Sequence, residues 1–126
     1  MNRDSALKIV LVLVGLIFLL GVYPLMMFAW PSGWRWHPIQ TEYEQMILGV
    51  YGTLGIFLLL ASRNPSANRS LIAFTAWSSL VHAGIMTVQA FQNPGEHGHL
   101  MGDIPALVFV GVALLALAPR GHSAAA

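Results

Sequence analysis

The sequence predicts an all-α protein: a single domain over residues 1–126, built as a bundle of four transmembrane helices with both termini cytoplasmic. Three observations lead there. Of the 126 residues, 56% are hydrophobic and only 9% charged, against about 25% charged in soluble domains. Four apolar stretches are divided by breaker-rich separators, and lysine and arginine are distributed unevenly between the two sides that this pattern defines. The bilayer interior offers no water to backbone groups, so spanning segments of this kind are helices rather than strands.

The first stretch covers about residues 7–30. Arg3 and Lys8 precede it as they would in a signal peptide, but it is too long and lacks a small-x-small cleavage site, so it reads as an uncleaved anchor. Pro24 cannot donate to the carbonyl of Leu20, which predicts a kink near Gly21. Pro31-Ser32-Gly33 ends the stretch, and Trp30, Trp34 and Trp36 are placed as an interfacial aromatic belt. The second stretch covers about residues 43–61. One face holds Gln45, Gly49, Gly52, Thr53 and Ile56, with Gly49 and Thr53 at small-xxx-small spacing, and this face is expected to pack closely. Glu44, Leu48, Tyr51 and Gly55 form another face.

The third stretch, about residues 71–91, follows the turn Arg63-Asn64-Pro65-Ser66. The fourth, about residues 104–118, follows Asn93-Pro94-Gly95 and falls short of the roughly 20 residues that a bilayer requires unless it starts before Asp103. It is expected to span a thinned bilayer or to pack against partners, with Asp103 capping its start. Arg3, Lys8, Arg63, Arg69 and Arg120 fall on one side and Arg35 on the other, which places both termini in the cytoplasm.

Several function classes are excluded. With no cysteine there is no disulfide, thiolate metal site, iron–sulfur cluster or cysteine nucleophile. A net charge of +1 without a basic patch gives no footprint for nucleic acid. No phosphate-binding glycine loop, nucleophile elbow or His-Glu-x-x-His occurs. No catalytic set emerges.

Two groups of residues carry chemistry. At the outer pole, Glu96, His97, His99 and His37 mix imidazole and carboxylate in a way that suits a divalent metal. In an extended loop His97 and His99 point the same way; the competing reading is an ordinary polar loop. In the membrane, His82 lies on a stripe with Thr75, Ser78, Ser79, Met86 and Gln89, while Trp77 points away. Such a stripe faces protein, cofactor or water rather than lipid. His82 is read as a neutral histidine satisfied by Ser78 or Tyr51, as a haem ligand, or as a proton or quinone contact. Roughly nine residues, or about 14 Å of helix, separate His82 from the outer loop, so the two groups are expected to be separate sites.

The run YEQMILGVYGTLGIFLLLASRNPSANRSLIAFTAWSSLVHAGIM, residues 43–86, resembles the central part of DoxX-like bacterial membrane proteins. These are small four-helix inner-membrane proteins with a Gly-containing second helix, an Arg/Asn/Pro turn and a third-helix histidine. The resemblance covers about a third of the chain, and its motifs are mostly helix-packing features. It implies a multi-pass protein of the bacterial inner membrane, accessory to a respiratory or quinone-linked complex. The leading expectation is thus a non-catalytic accessory or assembly subunit, or a bundle that self-associates as a homo-oligomer. The alternative is a haem-, quinone- or metal-binding redox component, with His82, Tyr51 and Ser78 at the cofactor. Third is a small oligomeric transporter.

Overall fold

The computed structural model describes residues 2–119 and contains helices and turns, with no strand among the described residues. The expectations for Arg120 and the Ala124–Ala126 tail lie outside the described residues. Helix α1 runs Arg3–Ala29, a short α2 Pro31–Trp34, α3 Thr41–Ala61, α4 Arg69–Gln92 and α5 Asp103–Leu117. A 3₁₀ turn, Pro65–Asn68, leads into α4, and a 3₁₀ helix, Pro94–Leu100, precedes α5. Four helical segments are long and apolar enough to cross a membrane: Arg3–Ala29, Thr41–Ala61, Pro65–Gln92 and Pro94–Leu117. The Arg3 guanidinium donates to the Ala118 carbonyl at 3.0 Å, so the first and last spans meet at one pole.

The expected kink takes the form of widened helical turns. Around Pro24, residues Ile17–Gly21 and Leu25–Ala29 adopt π-helix, with the N–H of Val22 bonded to the carbonyl of Ile17. Proline removes a donor, and the neighbouring register relaxes to i→i−5 to keep backbone groups paired.

Packing is uneven along the bundle axis. At the pole where Arg3 meets Ala118, Leu7, Leu11, Leu58, Ile72 and Leu114 are fully buried and close the core. Lipid tails are as apolar as leucine, so this closure gains chiefly from dispersion contacts and shape fit. Helices α4 and α5 share the most extensive interface, whereas α3 meets α4 only briefly and leans on α1 instead. Glycines set both close crossings. A Cβ on Gly55 would lie 2.6 Å from the Gly15 carbonyl oxygen, and one on Gly111 would lie 2.5 Å from Leu80.

One expectation is corrected here. The face carrying Gly49 and Thr53 is exposed, with nothing within 4 Å of a Cβ on Gly49, and the Thr53 hydroxyl bonds its own helix at the Gly49 carbonyl. The helix contact uses Gly55, on the face shared with Tyr51. Both faces of α3 carry glycine, and the position of α1 selects between them. The fourth span does start before Asp103, the condition under which it reaches a bilayer-spanning length, because Pro94–Leu100 is helical.

Candidate functional site

The end of the bundle away from the Arg3–Ala118 contact, the one expected to face outward, is closed by a polar cap. Its centre is the 3₁₀ helix Pro94–Leu100, started by a proline in its first turn, where the missing N–H costs nothing. With three residues per turn, side chains at i and i+3 eclipse, so Glu96 and His99 share the inner side while His97 turns out to solvent. The expected extended loop with parallel His97 and His99 is thereby replaced. Glycine is required where this segment meets the first outer loop: a Cβ on Gly98 would lie 2.5 Å from the Ser32 carbonyl oxygen, and one on Gly102 would overlap the Gly33 backbone.

Hydrogen bonds run through the cap without a break. Glu96 accepts from the His37 backbone N–H at 2.9 Å and lies 3.1 Å from His37 Nδ1. Its other oxygen lies 2.9 Å from His99 Nε2, which is also 3.1 Å from the Arg35 carbonyl oxygen. His99 Nδ1 sits 2.8 Å from Asp103, whose second oxygen accepts from the Trp36 indole at 2.9 Å. Trp36 also stacks on the His99 ring, with centroids 3.9 Å apart. Beside this set, Arg35 donates twice to Glu44, at 2.7 and 3.0 Å. That hydrogen bond raises the Arg35 guanidinium above its already high range, outweighing desolvation.

The His99 ring is 0% exposed and meets acceptors on both nitrogens. A backbone carbonyl can only accept, so Nε2 carries hydrogen. Nδ1 faces a carboxylate oxygen, so a further proton lies between His99 and Asp103. The buried part of the cluster is self-saturated: the side-chain polar atoms of Glu96, His99, Asp103 and Trp36 are each answered by another group of the chain.

Beneath the cap lies a half-enclosed cavity of about 770 Å³, lined by α1, the first outer loop, α3, α4 and α5. The widened turns of α1 contribute Ile17, Phe18, Leu25 and Met26, and α5 contributes Leu107 and Val110. The walls are apolar except for a few groups: Glu44 and Asp103 toward the cap, Gln40 and Trp34 from the loop, and Tyr51 with His82 further in. Tyr51 Oη and His82 Nδ1 are 2.6 Å apart, and Phe18 packs edge-on against the Tyr51 ring. The Trp34 indole nitrogen is buried with no partner among the described residues. A largely apolar cavity of this size with a few convergent polar groups has the form of a ligand site.

The residues singled out from the sequence fare differently. The His82 stripe faces inward as expected: Thr75, Ser79 and Met86 are buried and Trp77 is exposed. Gln89 ends up exposed. His82 takes Tyr51 as its partner, while the Ser78 hydroxyl turns back to the Thr75 carbonyl at 3.3 Å. Of the four outer residues, His37, Glu96 and His99 come together, and His97 does not. Their contacts are spent on each other and on Asp103, and among the described residues no group of three or more His, Asp or Glu side chains is placed to hold a metal ion. Asp103 is no side-chain cap, because His99 and Trp36 take its carboxylate. Asp103 lines the same cavity as His82, whereas His37, Glu96, His97 and His99 do not, so the two groups stay apart as expected and only Asp103 touches both.

Trp34, Trp36 and the Arg35–Glu44 pair were not anticipated as site residues. The tryptophans carry the same sequence signal as an interfacial belt, and only their burial beneath the 3₁₀ helix separates them from one. Arg35 as the lone outer cation, in a chain whose acids gather at that pole, was the available clue.

Comparison with protein-family models matches residues 3–123 to a family described as a family of unknown function, DUF6632. No curated protein and no solved structure matches the chain.

Proposed function

The chain belongs to the family of unknown function DUF6632, and from its geometry we propose that it is a non-catalytic, multi-pass membrane protein that binds a lipophilic ligand in the cavity beneath its outer cap. One observation carries this reading: an apolar chamber of about 770 Å³ in which the Tyr51–His82 pair and the Trp34 indole are the polar groups left without full partners. A cavity that served packing alone would be filled, since unfilled space forfeits dispersion contacts.

No nucleophile, base and oxyanion donor converge in the chamber, which favours binding over turnover. The likeness of residues 43–86 to DoxX-like proteins supports an accessory role within a larger complex of the bacterial inner membrane, with the Arg3–Ala118 pole cytoplasmic by the lysine and arginine bias. The exposed Gly49–Thr53 face of α3 is where a partner helix or second copy would approach most closely.

Photolabelling in lipid nanodiscs with an alkyl diazirine tests the binding. Saturable labelling at Tyr51, Met86 and Val110 is expected. Labelling confined to lipid-facing Phe74, Trp77 and Val81, without saturation, would refute the proposal.

A further inference from the structure

The polar groups of the cavity do not balance, and the imbalance specifies a ligand. Glu44 accepts both of its close bonds from Arg35, and Asp103 is taken by Trp36 and His99, so the carboxylates are spent within the chain. The Trp34 N–H is a donor with no acceptor among the described residues. In the neutral forms that apolar surroundings favour, Tyr51 and His82 together hold two hydrogens, and one is used in the bond between them. Whichever way that bond runs, one hydrogen remains: on His82 Nε2 if the tyrosine donates, on Tyr51 Oη if the histidine donates. Gln40, at the mouth, offers a donor and an acceptor alike.

Building on the cavity reading above, we propose that the ligand is a neutral lipophile whose head group carries carbonyl-type acceptor oxygens, received by the Trp34 N–H near the cap and by the Tyr51–His82 pair deeper in. A hydrocarbon leaves buried donors unanswered, which is costly. A carboxylate would sit beside Glu44 and Asp103 with the nearby Arg35 already committed. Trp34 lines the cavity from the loop beside Arg35, which pairs with Glu44, and Tyr51 lines it seven residues, or about 10 Å of helix, beyond Glu44 on α3, so the two donors are separate positions. A ligand that answers both carries at least two acceptor oxygens. Two sources supply such oxygens: an ester lipid of the bilayer, or a lipid-soluble ring diketone of the quinone class.

Competition against the photolabel in nanodiscs tests the assignment, using a short-chain benzoquinone, a diacylglycerol, and a fatty-acid carboxylate and a hydrocarbon of matched length. Either the quinone or the diacylglycerol is expected to displace label at least about tenfold more effectively than the carboxylate and the hydrocarbon, and the stronger of the two identifies the source. That advantage should shrink by about three- to tenfold in Trp34→Phe, which keeps the ring and loses the donor. If Trp34→Phe fails to fold, the selectivity of the unaltered protein decides alone. Equal displacement by carboxylate or hydrocarbon would overturn the ligand class while leaving the cavity a binding site. Saturable cavity labelling that none of the four displaces would also overturn the class, and absence of saturable cavity labelling would overturn the cavity reading itself.

Discussion

His99 and His82 stand in the same bundle and differ in one respect that matters. His99 is completely buried, faces acceptors on both nitrogens and lies under Trp36, so nothing on it is left to offer. His82 is half-buried, makes one bond to Tyr51 and lines a chamber. Burial alone would rank His99 as the more notable residue. Saturation ranks them the other way: the histidine with both nitrogens answered holds the outer loops together, and the one with a hydrogen in reserve can hold something else. The difference also explains why the cap sits where it does. It ties residues 35–37 to residues 96–103 across long sequence separations and roofs the cavity that His82 lines.

If that contrast is right, substitutions at the two histidines separate sharply. His99→Leu leaves Asp103 and Glu96 buried without their partner and should cost about 3–5 kcal/mol in detergent unfolding; a melting curve like that of the unaltered protein would break the comparison at its structural end. Gly55→Leu should follow at about 1–3 kcal/mol, because its side chain would enter the α1 backbone, whereas Gly49→Leu should stay within about 0.5 kcal/mol in the isolated chain. Equal melting temperatures for the two leucine variants would mean that α3 packs on its other face. His82→Leu should cost about 1–2 kcal/mol by stranding Tyr51, while His82→Gln keeps a donor and an acceptor and costs less. Smallest of all, His97→Ala should leave the melting curve unchanged, since His97 is exposed and outside the bonded cap; a substantial loss there would mean that the cap extends beyond the chain of bonds described.

What the sequence made legible follows the range of the interactions. The apolar spans, the disturbance at Pro24, the inward stripe through His82 and its tyrosine partner all rest on helix period, donor loss or matching depth, which are local or depend only on position along a span. The cap was illegible because its geometry comes from contacts 59 to 67 residues apart. Its glycines and histidines carry little helical propensity, and the segment is held in a 3₁₀ turn by the close approach of Gly98 and Gly102 to Ser32 and Gly33 together with the bonds of Glu96 and His99 to residues 35–37. The face of α3 was misjudged for a related reason. Periodicity defines faces, but the choice between two glycine-bearing faces is made by a neighbouring helix.

The most direct test places the two histidines in one experiment: saturable photolabelling of the cavity in nanodiscs, measured alongside the melting curve, for the unaltered protein, for His99→Leu, and for the two cavity variants His82→Leu and Tyr51→Phe. The expected result is loss of saturable labelling at Met86 and Val110 in His82→Leu and weakening in Tyr51→Phe, with both variants folded and His99→Leu the least stable of the series. If His82→Leu instead melts the bundle as severely as His99→Leu, or leaves saturable labelling intact, the contrast between a saturated and a ligand-facing histidine is wrong.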